Sequence, residues 1–157
     1  KIKSICMKNL VYICFAIFMF SCNSAKNTQH MAPKVISEGN LFGSGSEGLM
    51  QQNTVITNET EWKEFMMRLN AANETIKKDQ VSEIDFDEQN VIAIIDKQRN
   101  TGGHKIEIAE TYTQNGIVYF TVKKTHPEGM ATSVMTQPYY IATIPKTKQE
   151  IEFKEAE

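Results

Sequence analysis

Apolar residues recur along this chain with two different spacings, and the change from one to the other marks out its elements. Trp62, Phe65, Met66 and Leu69 fall at i, i+3, i+4 and i+7, a single helical stripe, while Lys63, Glu64 and Arg68 lie off it. Asn58 precedes that stripe and Glu61 follows three residues later, the spacing of an N-cap, so a helix is predicted to open there. Residues 49–56 read as a strand ahead of it. After a polar stretch, residues 91–95 (VIAII) form an unbroken, β-branched apolar run, which predicts a strand covered on both faces. Residues 105–109 alternate and residues 117–123 follow Asn115-Gly116, so a β-hairpin is predicted over 104–123. Residues 139–144, between Pro138 and Pro145, and residues 150–153 add two more strands. The expected fold class is α+β, a mostly antiparallel sheet of about six strands with one amphipathic helix packed on it.

The first segment follows neither spacing. Lys1, Lys3 and Lys8 precede an uncharged apolar run over residues 10–20 (LVYICFAIFMF), which stops at Ser21-Cys22. This is the layout of a secretory signal peptide. At about 1.5 Å per helical residue the run reaches roughly half of a ~30 Å hydrocarbon core, too little for a membrane-spanning helix. Met19-Phe20-Ser21-Cys22 resembles a bacterial lipobox, relaxed in the manner of lipoproteins of the Bacteroidetes type. Cys22 is therefore the expected lipidation site, and residues 1–22 the expected lipoprotein signal peptide. Residues 23–47 are polar and Gly/Ser-rich, the composition of a flexible tether, and residues 48–157 are expected to be the folded domain. Residues 43–48 satisfy GxGxxG, yet no strand leads into them and no helix opens after them, so they read as a mobile loop rather than a dinucleotide site. The expected location is the cell envelope, at the outer membrane facing the periplasm.

Charge and the scarcity of reactive groups narrow the function. Lys plus Arg is 17 against 19 for Asp plus Glu, a net charge of −2, so no basic field is available for nucleic acid. The three cysteines fall at 6, 14 and 22, which leaves the remainder without disulfides, thiolate zinc sites or a cysteine nucleophile. His30, His104 and His126 are isolated along the chain, so no metal site and no cofactor are expected. No GxSxG elbow is present. Asp85, Asp87 and Glu88 read as a solvated turn before the buried strand. The protein is accordingly read as non-enzymatic; were it an enzyme, His104, His126 and Glu128 would be its natural acid–base groups.

Two loops carry the remaining signal. Arg99-Asn100-Thr101-Gly102-Gly103-His104 joins the buried strand to the hairpin, and Thr125-His126-Pro127-Glu128-Gly129-Met130-Ala131 follows it. Residues 91–94 (VIAI), residues 101–108 (TGGHKIEI) and residues 136–145 (TQPYYIATIP) resemble the C-terminal domain of the protease complex subunit PrcB family, over about residues 48–146. This chain departs from that family in having His104 where an aromatic residue is frequent and Tyr140 where a histidine often follows the first tyrosine. The resemblance implies a small secreted bacterial lipoprotein, and a partner that is a surface subtilisin-like protease which the domain stabilises or modulates. A looser resemblance links the Thr-Gly-Gly loop, Gly129 and Pro138-Tyr139 to the three-loop wedge of chagasin-type protease inhibitors. A small-ligand binding module is the remaining alternative. The residues expected to touch a protein partner are Thr101, Gly102, Gly103, His104, His126, Gly129, Met130, Pro138, Tyr139 and Tyr140.

Overall fold

A computed structural model describes residues 31–77 and 83–156. Cys22 and the signal segment lie outside these residues, as do the first residues of the tether. The elements are β1 (Lys34–Leu41), β2 (Gln52–Ile56), α1 (Glu59–Leu69), β3 (Gln89–Ile95), β4 (Arg99–Thr101), β5 (Lys105–Gln114), β6 (Ile117–Thr125), β7 (Ser133–Pro145) and β8 (Glu150–Glu155). They form a five-stranded sheet in the order β1-β7-β3-β2, with β4 also paired to β7, and a three-stranded sheet in the order β5-β6-β8. Every pairing is antiparallel except β6 with β8. The class is α+β, as expected, with a single short helix among the described residues. Among the described residues the strands number eight in two sheets, where about six in one were expected.

The helix begins where its sequence says it should. Asn58 has extended backbone angles, and its side-chain oxygen accepts from the Glu61 N–H at 3.0 Å. The Glu61 carboxylate reaches back to the Thr57 N–H at 2.9 Å, which holds its carboxyl below the ordinary range. After α1 the Asn70 side chain clips both the N–H and the carbonyl of Ile76, each at 3.0 Å. Ile76 is thereby carried down into the core beside Leu69.

Alternation along β3 and β7 sends successive side chains into two separate cores. Val91, Ala93 and Ile95 of β3, with Tyr139 and Ile141 of β7, meet Trp62, Phe65 and Leu69 of α1. Ile92 and Ile94, with Tyr140, Ala142 and Ile144, meet Ile106, Val118, Phe120 and Val122 of the second sheet. Helix, five-stranded sheet and three-stranded sheet therefore stack as three layers. This is why residues 91–95 show no polar alternation.

Two expectations are corrected. The tether predicted over residues 23–47 contains β1, whose residues pair with β7 from Lys34↔Thr143 to Leu41↔Gln137. Its sequence, KVISEGNL, has no clean period of its own, and it acquires strand structure by completing the edge of β7. The Gly-rich turn after it is also tied down. Glu47 is buried and accepts from the Phe42 N–H at 2.9 Å, and Gly48 donates to the Gly45 carbonyl at 2.9 Å. Gly43 lies so close to β7 that a Cβ there would come within 2.4 Å of the Met135 carbonyl carbon and the Thr136 nitrogen. The second correction concerns Pro138, which does not bound its strand but lies inside β7. Its carbonyl accepts from the Asp96 N–H just past the last residue of β3, so the missing proline N–H falls where that ladder has already ended.

The layering makes a stability prediction. Ile141→Ala, which opens a cavity between α1 and the central sheet, is expected to lower the unfolding free energy by about 3–4 kcal/mol in a denaturant titration. Glu59→Ala, which breaks only the exposed pair with Lys63, is expected to cost about 0.5 kcal/mol or less.

Candidate functional site

The β5–β6 hairpin sets the geometry at one end of the molecule. Its register runs from Gln114↔Ile117 at the turn to Lys105↔Thr125 at the open end, so the next residues out, His104 and His126, face each other. Their Nδ1 atoms are 3.1 Å apart, with ring centroids at 5.3 Å and planes inclined by 72°. The other nitrogen of His104, Nε2, lies 2.9 Å from Thr101 Oγ1. Thr101 is itself held through its carbonyl, which accepts from Thr136 Oγ1 at 2.8 Å. Gly103 turns the chain between them at φ +83, and a Cβ there would meet the Pro127 Cβ at 3.0 Å. The two predicted loops are thus packed on one another through Gly103, Pro127 and the two imidazoles.

A polar cleft of about 360 Å3 opens beside this pair, lined by Asp96, Arg99, Lys124, His126 and Glu155 among others. Asp96 is 3% exposed; Arg99 holds its Oδ2 through Nε at 3.1 Å and through a terminal nitrogen at 2.6 Å, and Lys124 Nζ lies 3.6 Å from Oδ1. Lys124 also pairs with Glu155. Burial by itself pushes the Asp96 carboxyl up. The hydrogen bonds from Arg99 and the Lys97 backbone, with the charges of Arg99 and Lys124, outweigh it and hold the group below its ordinary value. His104 is held below the ordinary imidazole value by burial first, then by the charges of Arg99 and His126, with Asp96 opposing them.

On another side of the same loops, β1 stops pairing at Leu41↔Gln137 while β7 continues back to Ser133. The offset leaves a mainly apolar groove of about 570 Å3, lined by Leu41, Phe42, Val134, Met135 and Tyr139 with Asn40, Ser44, Asn73 and Thr75 around them. Phe42 is 60% exposed, Met135 54% and Val134 46%. Gly102 adjoins this groove, since its N–H donates to the Thr132 carbonyl at 3.0 Å and a Cβ there would touch Val134. Sequence reading passed over these three apolar residues. Phe42 sits in a stretch read as tether, and Val134 and Met135 between the second loop and the strand that follows, where no element is predicted; a lone aromatic in a Gly/Ser-rich stretch is the signal available.

The predicted contact residues separate into two groups. Thr101, Gly102, Gly103, His104 and His126 come together, and Gly129 and Met130 project beyond them, Met130 fully exposed. Pro138, Tyr139 and Tyr140 do not belong with them. They are interior residues of a central strand: Tyr139 turns toward α1 and shares a hydrogen bond with Ser37 Oγ at 2.9 Å, and Tyr140 packs toward the second sheet. Their burial takes away the Pro-aromatic loop on which the chagasin-type likeness drew. Glu128 is exposed on its loop. Asp85, Asp87 and Glu88 form the turn expected of them, with Asp85 accepting from the Asp87, Glu88 and Gln89 N–H groups. Among the described residues, no three His, Cys, Asp or Glu side chains gather as a metal centre.

The fold and this end of it define an α+β domain of two stacked sheets that presents packed loops and an apolar groove. Residues 90–145, from within β3 to the last residue of β7, match the family described as PrcB C-terminal. That segment is similar to the PrcB C-terminal family, and it takes in the two central strands and the β5–β6 hairpin between them. No curated protein and no solved structure matches it.

Asp96 supplies a test by pH. Its folded carboxyl lies below the ordinary value of 3.8, so its stabilising contribution is complete at neutral pH, begins to decline as pH drops to about that value, and is gone below the folded value. The gap in thermal midpoint between wild type and Asp96→Asn is expected to narrow from about pH 6 to about pH 3, whereas a constant gap would contradict the ion-pair account. Arg99→Ala, which leaves the buried carboxylate with Lys124 as its one cationic partner among those paired here, is expected to cost about 3 kcal/mol near neutral pH.

Proposed function

We propose that this protein is a non-enzymatic, lipid-anchored domain of the bacterial envelope that holds a partner protein, and that the partner is a secreted or surface protease which it stabilises or modulates. The observation that carries the reading is the groove flanked by Phe42, Val134 and Met135 next to the Thr101–His104 turn, within a chain whose residues 90–145 match the PrcB C-terminal family. Exposed aromatic and methionine side chains around a concave apolar floor suit an inserted apolar side chain of another protein. Asp96, the acidic group whose charge acts on His104, is committed to Arg99 and Lys124, which favours a structural use of this cluster over acid–base catalysis. The lipid anchor at Cys22 keeps the domain at the membrane, where a secreted partner passes.

Affinity purification from the native envelope tests the partner. A protease identified by its activity is expected to copurify with the wild-type protein, and Phe42→Ser with Met135→Ser is expected to reduce its recovery about tenfold or more. Undiminished recovery with that double variant rejects the groove, and reproducible absence of any protease rejects the partner. For the anchor, Cys22→Ala is expected to move the protein from the membrane pellet into the soluble fraction. Continued sedimentation with membranes counts against lipidation.

A further inference from the structure

We infer that His104 and His126 form a two-imidazole chelating site for a divalent transition-metal ion of the zinc, copper or nickel type, with solvent completing its coordination. The inference starts from the hairpin register. Lys105↔Thr125 is the last strand pair, so His104 and His126 occupy directly opposed positions on two chains already fixed by the ladder behind them. Their Nδ1 atoms are 3.1 Å apart. Two imidazole nitrogens bound at about 2.0–2.1 Å to one ion, at an angle between right-angled and tetrahedral, stand roughly 2.9–3.4 Å apart. The separation, held by a hydrogen bond between the two rings, already falls within the range an ion would impose.

Thr101 orients one of the two ligands. When its hydroxyl oxygen accepts from Nε2–H of His104 at 2.9 Å, the ring proton is fixed on Nε2 and the Nδ1 lone pair is left facing His126. Thr101 is held for this task by Thr136, whose hydroxyl donates to the Thr101 carbonyl. The opposite ring then carries the shared proton on Nδ1 and donates it across the pair. Moving that proton to the solvent-facing Nε2 exposes the second lone pair without changing the charge of the neutral imidazole. Of the charges beside the pair, Arg99 disfavours a cation at His104 and Asp96 favours one, while Lys124 is paired with Asp96 and Glu155. His126 is exposed and His104 partly so, which leaves the outer positions of the ion open to water. Imidazole pairs suit borderline cations, with Cu2+ held more tightly than Ni2+ or Zn2+.

The test is equilibrium dialysis of the full chain against Zn2+, comparing wild type with His104→Ala, His126→Ala, Thr101→Val and the double histidine variant. The double variant serves as the baseline because the full chain also contains His30 and three cysteines. Wild type is expected to bind one more ion than that baseline, each single histidine variant to bind it at least about tenfold more weakly, and Thr101→Val about tenfold more weakly. With Cu2+, paramagnetic resonance is expected to show two coupled nitrogens in wild type and one fewer in each single variant. His126→Asn, which keeps a polar side chain across from His104, guards against a folding artefact, since its circular dichroism and thermal midpoint are expected to match wild type while the extra ion is lost. Equal uptake by wild type and the double variant would overturn the inference, as would an undiminished copper–nitrogen signal in His126→Asn.

Discussion

Burial of β3 and β7 on both faces is the constraint from which the rest of the molecule follows. A strand covered on one side can leave every second residue polar, but residues 91–95 offer no such face, and residues 139–144 offer almost none. Each strand needs two covers. Helix α1 supplies one through Trp62, Phe65 and Leu69, and the β5-β6-β8 sheet supplies the other through Ile106, Val118, Phe120 and Val122. Neither cover suffices without the other, since losing either returns one set of isoleucines to water. The second sheet is thus a requirement of the central pair.

Asp96 marks the place where this arrangement runs out of strand. It follows the last residue of β3, and its N–H donates to the Pro138 carbonyl while its own carbonyl accepts from the buried Gln137 side chain at 3.1 Å. Its carboxylate takes Arg99 from β4 and Lys124 from β6, and Lys124 in turn takes Glu155 from β8. One buried acid therefore joins both sheets at the end where the loops emerge. Such a group contributes less to net stability than apolar packing of the same volume would, because desolvation offsets much of the ionic attraction. Its effect is positional. Arg99 and Lys124 are held to a single arrangement, and with them the starts of the two loops that carry His104 and His126.

What could be read from the sequence was whatever is local. Asn58 and Glu61 announced the helix, Asn115-Gly116 the hairpin, and the apolar run 91–95 the doubly covered strand, since each rests on neighbours a few residues apart. What escaped depends on distant partners. β1 has no period of its own and becomes a strand only against β7, a hundred residues later in the chain. The parallel pairing of β8 with β6 is equally silent in the residues of β8, where EIEFKE would suit either direction. Pro138 and the two tyrosines after it read as partner contacts at the mouth of a strand because proline ordinarily bounds one; the deciding fact, that β3 has ended at that point, lies outside their own segment. The histidine pair was hidden for the opposite reason. Both residues stand among the candidate groups of the two loops, and only the hairpin register, itself legible, places them face to face.

The matched family segment and the site do not coincide, and the mismatch bears on how partners are told apart. Residues 90–145 contain the central pair β3 and β7, the hairpin and the loops between them, and hence one wall of the groove, Val134 and Met135. The facing wall is Leu41 and Phe42, at the end of a strand that lies outside the matched segment. Gly43 then presses its backbone onto Met135 and Thr136, which fixes the distance between the walls. A change at Phe42 would therefore reshape the groove without touching the doubly covered strands, because that side chain faces solvent and bears on neither core. A change at Met135 also reshapes it, but there the backbone is already committed to the contact with Gly43. Selectivity for a partner is accordingly easier to alter from the β1 side than from the β7 side, with the common framework left in place.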